Sequence, residues 1–330
     1  FIVDTIAPGA TLTLAPVPGV ASNAASFAAT VVFSQAVGAS LALPPVVSNA
    51  TLGTITPAVS TSTNTTFTFT VTPINTGTVS VQMPAGAATD AAGNPSTASN
   101  TVSFTSDLVA PIGLLSTSPA TVNIANAGSP VTFSVTYSDI GSGLNPATLS
   151  TSGTKVTVPG SGTLTPTIGG VNGNTVTYSL GLGATPAQGT YSVSLANPGT
   201  VADNAGNLVA GAPLANFLVD TAAPVAPAIT GFSPDTGVVG DGVTGKNAIV
   251  ISGTAEPNSI VTIYDRGVPV AVGTADAFGN FAIGASLLAD GQHTFTAKAT
   301  DGAGNTGPAS NTEPVKIDTL PPSAPTITSL

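Results

Sequence analysis

Apolar and polar positions alternate with a period of two along much of the chain. The alternation is plainest in NTTFTFTVTP (64–73), SPVTFSVTYSD (129–139), GTYSVSLAN (189–197), NSIVTIYDRG (258–267) and GQHTFTAKATD (291–301). A period of two gives an extended segment one face for a core and one for water. No 3.6-residue period persists beyond about two turns. Gly, Pro and Asn clusters separate the alternating segments, so the pattern predicts an all-β chain of sandwiches built from short strands. The Gly-rich stretch VPGSGTLTPTIGGVNGN (158–174) reads as a wide loop or irregular hairpin.

Two motifs recur in fixed register. ATDAAGN (88–94), VADNAGN (201–207) and ATDGAGN (299–305) write one turn three times. Asp90, Asp203 and Asp301 in these turns are each followed 17 residues later by another acid: Asp107, Asp220 and Asp318. A constant spacing across diverged sequence marks a tandem repeat. The second motif is a strand end, Asp, and then Pro, in FIVDTIAP (1–8), FTSDLVAP (104–111), FLVDTAAP (217–224) and VKIDTLPP (315–322). Pro fixes its own φ and keeps the residue before it extended, so these linkers read as short and stiff.

The motifs predict immunoglobulin-like sandwiches arranged end to end. The first covers residues 1–106, with 1–3 as the tail of a preceding strand; the second covers 107–219 and the third 220–318. Residues 319–330 resemble 221–232 and read as the first strand of a further domain, or as a strand exchanged between chains. The third domain carries an extra turn, DAFGN (276–280).

Composition narrows the chemistry. Charged residues make up 6% of the chain and its net charge is −10. The five basic residues, Lys155, Lys246, Arg266, Lys298 and Lys316, are scattered and form no surface that tracks phosphates, which argues against nucleic acid as a partner. The acidic balance points to cations. With no cysteine, disulfides, thiolate metal sites and a Cys nucleophile are excluded. No run of about 18 apolar residues is present, so no membrane insertion is expected. No signal peptide is visible, and the opening FIVDTIAP reads as part of something longer.

The spacing also predicts a site. About 12 residues of strand follow each turn and span roughly 40 Å, the length of a sandwich. In an immunoglobulin-type strand order the turn then lies beside the incoming linker, and Asp90 faces Asp4, Asp203 faces Asp107, and Asp301 faces Asp220. The loop between the second and third strands belongs at the same end. It offers Asp139 in TYSDIGSG, Glu256 in GTAEPNS, and only Gln35 in VFSQAVG. Carboxylates converging on a stiff linker repel unless a cation lies among them, and hard oxygen ligands suit Ca²⁺. Zn²⁺ fits poorly, with one histidine and no cysteine. The same residues also make good turns, since Asp bonds local N–H groups and Gly supplies positive φ. The expected metal ligands are Asp107, Asp139 and Asp203, then Asp220, Glu256 and Asp301, with weaker binding at Asp4, Asp90 and Asp318.

SGTAEPNSIVTIYDRG, ADAFGNF, LADGQHTFTAKATDGAGNTGPAS and IDTLPPSAP in the third domain resemble the bacterial Ig-like domains of large repetitive surface proteins, in biofilm-associated and RTX-type adhesin stalks. The first domain resembles another Ig-like type through VVFSQAV, TFTFTVTP and MPAGAATDAAGNPSTASNTVSF; the second is matched mainly by YSDIGSGLNPATL and TVADNAGN. The resemblance implies a non-catalytic spacer at the bacterial cell surface, with Ca²⁺ at its junctions and neighbouring Ig-like domains as its partners. Two departures are Gln35, where relatives often carry Glu, and Lys246, where the 235–247 loop often ends in an acid. The latter argues against a second calcium site at Asp235 and Asp241.

Other classes draw less support. Ser/His/Asp catalysis would need His293, which lies on a strand with no acid in local register and reads as a surface imidazole. Lys298 alternates against Phe295, Ala297 and Ala299 and reads as outward-facing, which argues against a buried Lys–Asn cross-link. A carbohydrate- or surface-binding module would have to use dispersed tyrosines or threonine arrays such as 61–72. A self-assembling filament or sheath subunit, with identical chains as partners, would use exposed strand edges and detached terminal strands.

Overall fold

The computed structural model describes residues 3–15, 21–58, 64–151, 153–160, 162–196 and 199–326. The tail at 1–3 and the segment 319–330 therefore lie partly outside the described residues. The chain is nearly all β and carries three separate apolar cores, each between two sheets.

In the first core, one sheet runs in the order Ala10–Ala15, Phe27–Val37, Asn64–Pro73, Ala50–Leu52, with Thr56–Pro57 also on Asn64–Pro73. The facing sheet runs Ala21–Ser22, Val102–Ser106, Gly77–Gln82, Val46–Ser48. Period two decides what is buried: Phe27, Ala29, Val31 and Phe33 point inward, and Phe27 meets Phe104 with ring centroids 4.5 Å apart. Burying each large apolar side chain contributes roughly 1.5–3 kcal/mol.

The second core has one sheet ordered Ile112–Thr117, Val131–Ser138, Thr175–Leu180, Thr167–Asn172. The other is ordered Thr163–Leu164, Thr154–Thr157, Gly189–Leu195, Pro213–Val219. The Gly-rich stretch forms part of both sheets. Its hairpin turns at Gly173, where φ is +56°, between Asn172 and Thr175. Tyr137 and Tyr178 are fully buried, and their hydroxyls hydrogen-bond each other at 2.9 Å. A four-residue helix, Pro146–Leu149, is capped by Asn145, whose side chain accepts from the Ala147 N–H.

The third core lies between Ala228–Ser233, Ile249–Thr254, Asn280–Ala285 and a sheet ordered Val243–Thr244, Glu313–Ile317, Gly291–Thr300, Ile260–Asp265, Val268–Thr274. In all three units an early segment crosses over to lie parallel to the last strand: Ala21–Ser22 beside Val102–Ser106, Val122 beside Val219, and Val243–Thr244 beside Glu313–Ile317. Among the described residues, no helix is long and apolar enough to cross a membrane.

Candidate metal centre

The three repeated turns share one geometry. In each, the Asp N–H donates to the carbonyl of the Asn four residues on, at 3.2, 3.1 and 3.0 Å for Asp90, Asp203 and Asp301. The Asp Oδ1 accepts from that Asn's backbone N–H at 2.9, 2.9 and 2.8 Å. Gly93, Gly206 and Gly304 supply φ near +90°, a conformation that suits glycine. So far this is a turn and nothing more.

The asparagine carries the turn's reach. Asn207 Nδ2 donates to the carbonyls of Asp107 (2.9 Å) and Val109 (3.2 Å), and Asn305 Nδ2 to those of Asp220 (2.8 Å) and Ala222 (3.3 Å). Asn94 Nδ2 donates to the Asp4 carbonyl at 3.1 Å, and Gln35 Nε2 takes the Ile6 carbonyl at 3.0 Å. Each turn therefore grips its incoming linker, as the spacing predicts, through the side-chain amide of its asparagine.

The outgoing domain holds the same linker from behind. The N–H groups of Asp107, Asp220 and Asp318 donate to the carbonyls of Ser22, Val122 and Thr244. One residue on, the N–H groups of Leu108, Thr221 and Thr319 donate to the side chains of Thr76, Gln188 and Asp290. Each of those three residues directly precedes a glycine with φ between +120° and +136° (Gly77, Gly189 and Gly291). Two residues on, Val109 and Ala222 donate to the linker Asp itself.

One junction adds a cluster of charge. Asp107, Asp139 and Asp203 bring carboxylate oxygens within 4.8 Å of one another, and Asp107 and Asp203 are 0% and 1% exposed. Asp107 Oδ2 accepts from the Ser142 N–H at 2.6 Å, and Asp139 Oδ2 from the Gly143 N–H at 2.9 Å. Asp139 Oδ1 is buried with no hydrogen-bond partner. Burial pushes Asp107 up, but bonds from Ser142, Val109 and Thr76 outweigh it and hold the group below its ordinary value. Asp139 is raised, first by burial and then, against the Gly143 bond, by the charges of Asp107 and Asp203. The loop carrying it is laced to the turn: Asn204 Nδ2 donates to the Ser142 carbonyl, and the Ala205 N–H to Ser142 Oγ. Gly141 has φ +140°, and a Cβ there would lie 2.6–2.7 Å from the Asp107 carboxyl.

The other expected ligand sets are not assembled. Asp220, Glu256 and Asp301 do not come within that distance of one another, and Glu256 is exposed. Its loop is fastened to the extra turn instead. The Ala255 N–H donates to the Gly279 carbonyl and the Asn258 N–H to that of Asp276. This junction carries direct bonds between domains: Ile124 N–H to Asn305 Oδ1 at 2.7 Å, and Asn123 Nδ2 to the Ala303 carbonyl at 2.9 Å. At the first linker the Asn94 carboxamide bonds both the Asp4 carbonyl and Asp90 Oδ2 while Gln35 bonds the Ile6 carbonyl, and Asp318 is paired with Lys316 Nζ at 3.1 Å. His293 departs from the surface position expected of it. It is 3% exposed, not a surface residue, and its acidic partner is Asp265, 28 residues upstream on a neighbouring strand. Lys298 does point outward, over the Tyr264 ring.

Residues 224–319 match the family model of the bacterial Ig-like domain. No curated protein matches the chain. Among solved structures, titin domains A168–A170 are similar at 12% identity and TM-score 0.39, covering 94% of this chain and 99% of that one. A tetra-tandem repeat from the extending region of a large adhesion protein is similar at 22% identity and TM-score 0.29, covering 95% and 75%. A BSP domain of a biofilm-associated protein is similar at 13% identity and TM-score 0.27, covering 96% and 67%. With scores below 0.5, none of these likenesses bears on function.

Proposed function

We propose that the chain is a non-catalytic structural spacer of a bacterial surface protein, with Ca²⁺ stiffening the junction between its first two domains. The observation that carries this reading is Asp139 Oδ1, a buried carboxylate oxygen with no partner, facing two more buried carboxylates at a linker. An unpaired buried charge is costly, and a bound cation removes the cost. Asp107 belongs to the linker, whereas Asp139 and Asp203 belong to the following domain, so an ion held by all three ties that domain to the chain entering it.

Carboxylate oxygens, with carbonyls and water to complete about 6–8 ligands, suit Ca²⁺ better than Mg²⁺ or Zn²⁺. A second ion at Asp220, Glu256 and Asp301 binds more weakly in this reading, because Glu256 must leave solvent to reach it. Asp4 and Asp90, with neutral Gln35, bind most weakly. Calorimetric titration of the full chain, Asp203→Ala and Asp301→Ala with Ca²⁺ tests the reading. The tightest binding event should vanish in Asp203→Ala and persist in Asp301→Ala. Equal ion counts and affinities in all three proteins would mean that the turn aspartates only form turns.

A further inference from the structure

The second and third domains meet through a pair of loops as well as through their linker. The exit loop of the second domain, 123–126, follows Val122, which lies beside the last strand at Val219. The Asn123 N–H donates to Asn126 Oδ1 at 2.7 Å, and Asn126 Nδ2 to the Thr121 carbonyl at 3.0 Å. The Ala125 N–H donates to Asn123 Oδ1 at 3.0 Å. All three bonds lie within the second domain, so they fix the loop whether or not the third domain is docked on it. With its oxygen turned to Ala125, the Asn123 carboxamide presents Nδ2 to the third domain, where it donates to the Ala303 carbonyl at 2.9 Å.

The receiving side is the turn Asp301–Asn305. Asn305 is 2% exposed, and its carboxamide serves four partners. Nδ2 donates to the carbonyls of Asp220 and Ala222 and to Asp301 Oδ2, and Oδ1 accepts from the Ile124 N–H. At the first joint Asn207 makes the equivalent bonds to Asp107, Val109 and Asp203. Among the described residues, however, its Oδ1 accepts nothing from the first domain. The exit loops differ in the same way. Asn23 stands where Asn123 does, one residue past the parallel pair. A Cβ at Gly206 would lie 3.6 Å from Asn23 Nδ2, and one at Gly304 3.2 Å from Asn123 Nδ2. Yet among the described residues Asn23 donates to no group of the second domain.

Two bonds are enough to matter here because the linker already holds the faces together. The Asp220 N–H is tied to the Val122 carbonyl behind, and the Asp220 carbonyl to Asn305 in front. Docking is then intramolecular and costs little translational freedom. The carboxamide of Asn305 is also shielded from water, which strengthens its bonds.

We propose that the exit loop 123–126 and the turn Asp301–Asn305 form a docking surface that fixes the third domain on the second without a metal ion. Asn123 Nδ2 and the Ile124 N–H read the Ala303 carbonyl and Asn305 Oδ1, so the surface takes an Ig-like domain whose D-x-x-G-N turn offers both acceptors. The first joint has no such bonds and stiffens only when its three carboxylates share a cation. The two joints therefore respond differently to chelation. That contrast rests on the calcium reading above; the latch between the second and third domains does not.

The test is double electron–electron resonance on the full chain. It has no cysteine, so Ala28→Cys, Thr132→Cys and Ala282→Cys, at exposed strand positions of the three domains, take nitroxide labels selectively. The 132/282 pair should give one narrow distance distribution in calcium and in chelator alike; broadening on chelation overturns the metal independence. Asn123→Ala should broaden that distribution in both conditions and leave the 28/132 pair as it was. An unchanged 132/282 distribution in this variant overturns the latch and leaves the linker as the restraint. Asn126→Ala removes bonds inside the exit loop and none between domains. It should also broaden the 132/282 distribution, and no change would overturn the role of the preset loop. The 28/132 pair should broaden in chelator; if it does not, the calcium reading fails while the latch stands.

Discussion

Asp139→Asn should stabilise the second domain without calcium and weaken it with calcium. Asp139 Oδ1 is buried and unpaired, which costs about 1–3 kcal/mol. Its charge also sits within 4.8 Å of oxygens of Asp107 and Asp203. Unit charges at that distance repel by about 3 kcal/mol at an effective dielectric of about 20. Bonds from Ser142, Gly143 and Asn207 spread those charges, so removing one should return about 2 kcal/mol net, by the same principles. Burial, and then the two like charges, raise Asp139, so its favourable contribution is present below about pH 3.9, the unfolded value, and is lost as pH rises through the folded one. The gain from Asn is thus small in acid and full at neutral pH. With calcium at 100 times its dissociation constant the wild type gains about 2.7 kcal/mol, and Asn forfeits much of this by replacing a charged ligand with a neutral one. The assay is urea unfolding of the full chain followed by tyrosine fluorescence, in calcium and in chelator. It reports chiefly on the second domain, because Tyr137, Tyr178 and Tyr191 lie there and the chain has no tryptophan. A variant that loses stability in chelator, or that gains as much from calcium as the wild type, would refute the reasoning.

Two further substitutions test the linker contacts. Asn305→Ala removes donors to the Asp220 and Ala222 carbonyls and the acceptor of the Ile124 N–H, about 3 kcal/mol at roughly 1 kcal/mol per bond. Hydrogen exchange at the Ile124 amide should accelerate by about two orders of magnitude, and unchanged protection would show that these bonds do not hold the junction. Gly141→Ala places a methyl group against the Asp107 carboxyl at a backbone angle L-residues rarely adopt, and should destabilise the second domain by about 1–3 kcal/mol. It should also lower calcium affinity, so a calorimetric trace matching wild type would count against Asp107 as a ligand.

Much of this was legible in the sequence, for reasons of periodicity. Alternation defines the strands, and the 17 residues from Asp203 to Asp220 are long enough, at a strand's constant rise, to put the Asp203 turn at the other end of its domain, beside Asp107. The asparagines of the turns were equally visible, at 94, 207 and 305, but their carboxamides act on backbone carbonyls, and backbone groups leave no letter to pair with. Thr76, Gln188 and Asp290 share a role but no side-chain type, so only their place before a glycine signalled them. His293 was readable and misread. The alternation that turns Lys298 out turns His293 in, and its partner Asp265 lies across a strand pairing, Asp265 opposite Phe295, that local register does not reveal. Glu256 had the right residue type in the right loop, but that loop bonds to the extra turn at 276–280, a competition that spacing does not express.

The parallel pairs that close each sandwich set how the chain meets a pull along its length. Ala21–Ser22, Val122 and Val243–Thr244 come early in their domains, while the strands beside them run out to the next linker. Tension drawn through the linkers drags each pair in opposite directions along the strands. The rungs of such a pair share the load together, whereas a hairpin opened from its free end parts one rung after another. Among the described residues the second domain has a single rung of this kind, Val122 with Val219. The thinnest of the three mechanical clamps thus belongs to the domain that gathers three carboxylates where the chain comes in.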